Sequence, residues 1–139
     1  MSKVGWKDQF KDIQNSSKFH NTVRDIFRTD PFFSSLKCFQ EVPVHELIIE
    51  YEFHQHRYDW YIQELNTVVE LHGQQHYQMT NFGNIGYDRA EEAFQQSQQR
   101  DTEKKYAAID NGFKYIEIPY KVLPKLNATT LKQFIFTET

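Results

Sequence analysis

The chain of 139 residues carries 16 Lys and Arg against 19 Asp and Glu, a formal charge of −3. That balance excludes the strongly basic footprint of a protein that holds nucleic acid by charge alone. Its one cysteine, Cys38, excludes an internal disulfide framework, and no apolar run approaches the ~20 residues needed to cross a bilayer. Twelve Phe and eight Tyr supply much buried area per residue, so a single folded domain is expected. The opening MSKVGWKDQFKD has no apolar signal-peptide block, which points to an intracellular, cytoplasmic protein without a membrane partner.

In chain order, Trp6, Phe10 and Ile13 are spaced for one face of a first helix. Ser16 or Ser17 then caps a second helix to about Arg28, with Phe19, Val23, Ile26 and Phe27 as its buried stripe. Thr29, Asp30 and Pro31 stop it, because proline disfavours a helical residue before it. Residues 36–52 read as extended structure broken near Pro43, and His54 and His56 as water-facing residues of an edge strand.

From Arg57 the run RYDWYI alternates, placing Arg57, Asp59 and Tyr61 on one face and Tyr58, Trp60 and Ile62 on the other. Glu64, Leu65 and Asn66 form a polar turn. TVVELH then returns with Val68, Glu70 and His72 on one side and Val69 and Leu71 on the other. A hairpin of this length brings Asp59 opposite Glu70 and His72. The glycine-containing stretch QMTNFGNIGYD reads as a loop, and residues 89–110 as a helix stopped by Asn111 and Gly112. FKYIEIPY is a strand with Phe113, Tyr115 and Glu117 on one face and Lys114, Ile116 and Ile118 on the other. Pro119 and Pro124 end it, and Thr129 or Thr130 caps a short last helix. A long helix between strands suggests a crossover, hence an α/β or α+β domain with a mixed central sheet flanked by helices.

Two carboxylates and an imidazole aimed at one point are poor core material but suit a divalent cation beside a water. Asp59, Glu70 and the Leu71 carbonyl are hard oxygen ligands suited to Mg²⁺, with Mn²⁺ as substitute. This reading competes with a pair of surface carboxylates on a hairpin. In HGQQH, His72 and His76 lack the glutamate of a zinc-binding H-E-x-x-H helix, so one of them is read instead as a general base or leaving-group stabiliser. Asp101 lies within intrahelical reach of Lys104 and Lys105, as a solvated ion pair. If that helix packs across the hairpin, Asp101 orients a histidine and Lys104 meets phosphate.

The runs DWYIQELNTVVELHGQQHY and RDTEKKYAAIDNGFKYIEIPY resemble the PD-(D/E)xK nuclease superfamily, and within it the very-short-patch repair endonucleases and related phage and intron-associated homing endonucleases. The resemblance spans about residues 36–120. It implies a restriction-endonuclease-like fold and a Mg²⁺-dependent DNA endonuclease acting on double-stranded DNA. So small a chain reads only a limited site as a monomer, so a cleaver of both strands is expected to act as a homodimer. By position, Asp59 matches the metal-binding aspartate, Glu70 the acidic residue of the D…E-x-K pattern, and His72 stands where the lysine would be. Leu71 would give its carbonyl to metal, His76 would be the general base, and Asp101 would support that histidine. The family's glutamate on the N-terminal helix has no counterpart in residues 17–28. His20 or Asn21 stands near its place, with Asp25 further on, and Glu41 or Glu46 is an alternative source of the carboxylate. The zinc-binding cysteines of the repair enzymes are also missing.

Lys18, Arg24, Arg28, Arg57 and Lys104 are the candidate DNA-phosphate contacts within this reading, together with Lys3, Lys7 and Lys11. A junction resolvase or mismatch-nicking enzyme, and a catalytically silent nucleic-acid-binding module, are the alternatives.

Overall fold

A computed structural model describes residues 17–73 and 86–137. The expected first helix, His76 and most of the glycine-containing loop lie outside them. Helix α1 spans Lys18–Thr29, and its N-cap Ser17 accepts a hydrogen bond from the His20 amide at 3.3 Å. The stripe behaves as its spacing predicts: Phe19, Val23 and Phe27 are buried and Ile26 packs beside them.

Asp30 does more than end this helix. Its carboxylate accepts from the Phe32 and Phe33 amides (3.1 and 3.3 Å), starting a one-turn helix α2, Pro31–Ser34, with proline at its first position, where the missing N–H costs nothing.

Four strands follow: β1 (Cys38–Pro43), β2 (Arg57–Ile62), β3 (Thr67–His72) and β4 (Lys114–Pro119), joined in that order in one sheet. The first three are antiparallel neighbours and β4 runs parallel to β3. The long helix α4, Gly86–Asp110, starts three residues earlier than its spacing suggests and precedes the parallel strand. It ends in a Schellman motif: the Phe113 amide reaches Ala108 O (2.9 Å), the Gly112 amide reaches Ile109 O (3.2 Å), and Gly112 takes φ +85°. After β4 a 3₁₀ segment, Tyr120–Lys125, leads to α5, Ala128–Phe136. The domain is thus α+β, a mixed sheet with helices. No helix among the described residues is long and apolar enough to cross a membrane.

The sheet separates two cores. Trp60, Ile62, Val69, Leu71 and Ile118 pack with α1, α2 and α5, where Phe27 meets Trp60 edge-on at 4.5 Å between ring centroids. Tyr58, Tyr61, Val68 and Phe39 pack with Ala108 of α4. The alternation expected in β3 and β4 holds.

In β2 it does not. Tyr58 lies in the α4 core with Tyr61, not with Trp60 and Ile62. The cause is a local distortion between the pairs Gln40–Trp60 and Val42–Tyr58, where Glu41 of β1 takes φ +54° opposite Asp59. A left-handed residue rotates β1 about its axis, so Val42 joins Phe39 in the α4 core, and its ladder partner Tyr58 lies there with it.

Three further expectations fail for local reasons. Residues 44–47 form a helical turn, α3 (Val44–Leu47), where extended structure was expected. Pro43 at φ −60° serves as its N-cap, and the Val44 amide turns away to His56 O. Residues 51–56 are turns and bends in place of an edge strand. The cap of α5 is Asn127, whose side chain accepts from the Thr130 amide at 2.9 Å, so neither threonine plays that part.

Candidate metal centre and cleft

The two hairpin strands part at the end where Asp59 and Glu70 sit. Their ladder runs from Ile62–Thr67 to Trp60–Val69 and stops. Beyond it the carboxylates take over the bonding: the Asp59 amide donates to Glu70 Oε2 (2.8 Å), and the Leu71 amide donates to Asp59 Oδ2 (2.7 Å). Side chains that bond the neighbouring backbone in this way hold the strands at a fixed splay and leave no buried amide unpaired. The expected juxtaposition of Asp59 with Glu70 is therefore present.

Helix α4 crosses this end of the sheet and inserts Lys104. Its ammonium lies 2.5 Å from Glu70 Oε1 and donates to the Arg57 carbonyl at 2.9 Å, while its own carbonyl accepts from the Tyr58 hydroxyl at 2.7 Å. Glu70 is 1% and Lys104 8% exposed, so this is a buried ion pair and no solvated intrahelical one. Both oxygens of Glu70 are thereby engaged.

Asp59 borders the cleft and is part-exposed there. Burial, then the negative charge of Glu70, push its carboxyl well above the usual range, against the Leu71 hydrogen bond and Lys104, which pull it down. A carboxyl raised by burial and a neighbouring negative charge favours a cation beside it.

One oxygen each of Glu70 and Asp101 and one nitrogen of His72 lie within 4.8 Å of one another. The packing of α4 across the hairpin creates this group. It differs from the expected ligand set of Asp59, Glu70 and the Leu71 carbonyl by exchanging two members. The set fits a divalent ion: oxygen donors suit Mg²⁺, and an imidazole in their midst is accepted by Mn²⁺ more readily.

His72 Nδ1 lies 3.1 Å from Glu117 Oε2, and Lys105 Nζ 3.7 Å from Glu117 Oε1. Sequence reasoning gave Glu117 no role. Its signal was the crossover itself: a strand parallel to β3 puts Glu117 beside Glu70 in the register, on the face shared with His72.

The cleft around this group has a volume of ≈ 800 Å³. Lys18, His20, Arg57, Arg100 and Lys104 bring positive or imidazole groups to its wall, and His56 borders it too. Of the expected phosphate contacts, Lys18, Arg57 and Lys104 are therefore at the cleft. Arg24 and Arg28 are not among its lining residues, and Arg24 is turned to Asp25 at 2.9 Å.

On α1, His20 lines the cleft where the resemblance asks for a glutamate. Of the two alternative carboxylates, Glu41 stands across from Asp59, and burial followed by the opposing pull of Arg57 leaves its carboxyl raised, with Glu70 raising it further. Glu46 is exposed on α3. His76 lies outside the described residues. No family model matches the chain, and neither a curated protein nor a solved structure matches it.

Proposed function

We propose that this chain is a divalent-metal-dependent DNA endonuclease that hydrolyses phosphodiester bonds, of the site-specific homing type that the sequence resembles. The observation that carries the proposal is the convergence of Asp59, Glu70, His72 and Asp101 at the splayed end of β2 and β3, on a cleft with basic groups on its wall. A bound Mg²⁺ or Mn²⁺ would polarise a phosphoryl oxygen and lower the pKa of a water.

The chain's own residues supply the rest. Asp59 keeps one oxygen on the Leu71 amide and offers the other to the cation. Asp101 and Glu70 complete the carboxylate set, and Leu71, whose carbonyl the resemblance assigns to metal, lines the same cleft. Because the Nδ1 side of His72 is committed to Glu117, Nε2 is the nitrogen it offers to the cation. The base role then stays with His76, as the resemblance gives it. Arg57 and Lys18 orient the strand through its phosphates, while Lys104 stays paired with Glu70.

Purified protein with Mg²⁺ or Mn²⁺ is expected to nick or cut duplex DNA. Asp59→Asn, which keeps an acceptor for the Leu71 amide and so preserves the splay, is expected to lower cleavage by at least 10²-fold. Equal cleavage by the two proteins would defeat the proposal.

One observation favours a second reading, a catalytically silent nucleic-acid-binding module: the ammonium of Lys104 already provides Glu70 with an internal cation. Calorimetric titration with Mn²⁺ separates the two, since a silent module takes up no ion with or without Asp59.

A further inference from the structure

His56 borders the cleft, yet it belongs to none of the roles above. Every part of it but one is held. Its amide donates to Phe53 O (3.0 Å) and its carbonyl accepts from the Val44 amide (3.0 Å). Its ring stacks on Phe53 at 4.9 Å between centroids and 18° between planes. Nδ1 lies 2.6 Å from the Tyr51 hydroxyl, and both residues are only 9% exposed.

That contact favours the tautomer in which the phenol donates, because it leaves no donor of the pair unpaired. The Tyr51 phenol, pushed up to about 12 by burial and then by Glu103, Glu52 and Glu70, keeps its proton at neutral pH. Among the described residues the one acceptor for that proton is His56 Nδ1. A nitrogen that accepts there carries no hydrogen, so the imidazole proton resides on Nε2. The surroundings keep the ring neutral: burial, then the positive charges of Lys104 and Arg100, lower its pKa, against smaller opposing effects of Glu103 and Asp101. Nε2–H is thus a fixed donor on a ring that borders a cleft shared with Arg57 and Arg100.

We propose that His56 Nε2–H, with the guanidinium groups of Arg57 and Arg100, forms a phosphodiester-binding subsite on the cleft wall, beside the carboxylate centre, for a phosphate of the bound strand. The inference rests on the nuclease reading and adds a substrate contact to it. A neutral, preoriented donor suits this place. It adds a directed hydrogen bond to phosphate without bringing another charge near Lys104. Tyr51 is the positioning residue: it touches no substrate and acts by fixing which nitrogen of His56 carries the proton.

The test uses protein labelled with ¹⁵N at histidine, together with a short fluorescent duplex in Ca²⁺ to bind without turnover. The wild-type spectrum is expected to show His56 as the Nε2–H tautomer and to shift on adding duplex, whereas inorganic phosphate at the same phosphate concentration shifts it far less. Tyr51→Phe is expected to yield a mixture of tautomers and intermediate affinity, and His56→Ala to weaken duplex binding about tenfold with KM rising more than kcat falls. His56→Gln, whose amide restores a donor at the Nε2 position, is expected to recover much of the affinity and controls for folding.

An Nδ1–H tautomer in the wild type would overturn the subsite, and so would equal duplex binding by wild type and His56→Ala. The two readings fail separately. A wild type that cleaves while His56→Ala binds equally well removes the subsite and leaves the nuclease. A wild type that cleaves no DNA but shifts at His56 on adding duplex removes the nuclease and keeps the subsite.

Discussion

Lys104 shows how much one side chain can carry at this site. Its ammonium neutralises a carboxylate that is almost wholly buried, and its carbonyl anchors α4 to Tyr58. Breaking such a pair from one side strands a charge in a poorly solvated place, at a cost of about 3–5 kcal/mol, whereas replacing both partners is much cheaper. Lys104→Met is therefore expected to lower stability by that amount in urea denaturation without divalent ion. The double variant Lys104→Met with Glu70→Gln should recover most of it, since glutamine still accepts from the Asp59 amide. A double-mutant cycle measures the coupling. Asp59 and Glu70 were legible as a pair in the sequence, because strand alternation and a short turn suffice to align them. Lys104 was legible only as a conditional phosphate contact, because its partner lies across 34 residues of chain and no local rule connects the two.

At the scale of the element, the strands and helices follow local signals where those signals compete with nothing. Ser17 caps α1, and the Asn111–Gly112 pair ends α4. Gly112 is needed for its backbone: at φ +85° a side chain is strained, although a Cβ there would meet no atom within 4 Å. Gly112→Ala is expected to cost about 1 kcal/mol, seen as a fall of a few degrees in thermal melting, with cleavage unchanged because the turn lies at the opposite end of β4 from Glu117. A neutral result would show that the Schellman turn can re-form with another geometry. The failures are equally local in origin. Val44–Leu47 leads into the β-branched pair Ile48 and Ile49 and so reads as part of an extended run, but Pro43 and the bond from the Val44 amide to His56 turn the chain into α3. His56 looked like a solvated edge residue because nothing in its neighbourhood announces that Phe53 and Tyr51 will close over it.

The whole molecule carries a formal charge of −3, yet the cleft gathers Lys18, Arg57, Arg100 and Lys104 beside Asp59, Glu70 and Asp101. Such a mixture should bind DNA poorly until a divalent cation offsets the carboxylates. Fluorescence anisotropy is expected to show weak duplex binding in chelator and tighter binding in Ca²⁺. With two to four phosphates contacted, log K should fall against log salt with a slope of roughly −2 to −4. Binding in chelator as tight as in Ca²⁺ would mean that the carboxylates do not face the nucleic acid. The alternation of β3 and β4, the cap of α1, the glycine stop of α4 and the apolar stripe of α1 were determined by the sequence alone, since each depends on neighbours within a few positions. The α+β order of elements, and the alignment of Asp59 with Glu70, followed from them. The tertiary structure alone decided which way α4 crosses the sheet, and with it the burial of Lys104 against Glu70 and the gathering of His72, Glu70 and Asp101. It also decided that Glu117 joins His72 and that the strand phase breaks at Glu41. Each of these depends on side chains far apart in the chain meeting in a space where desolvation makes every charge find a partner, and sequence spacing holds no record of that constraint.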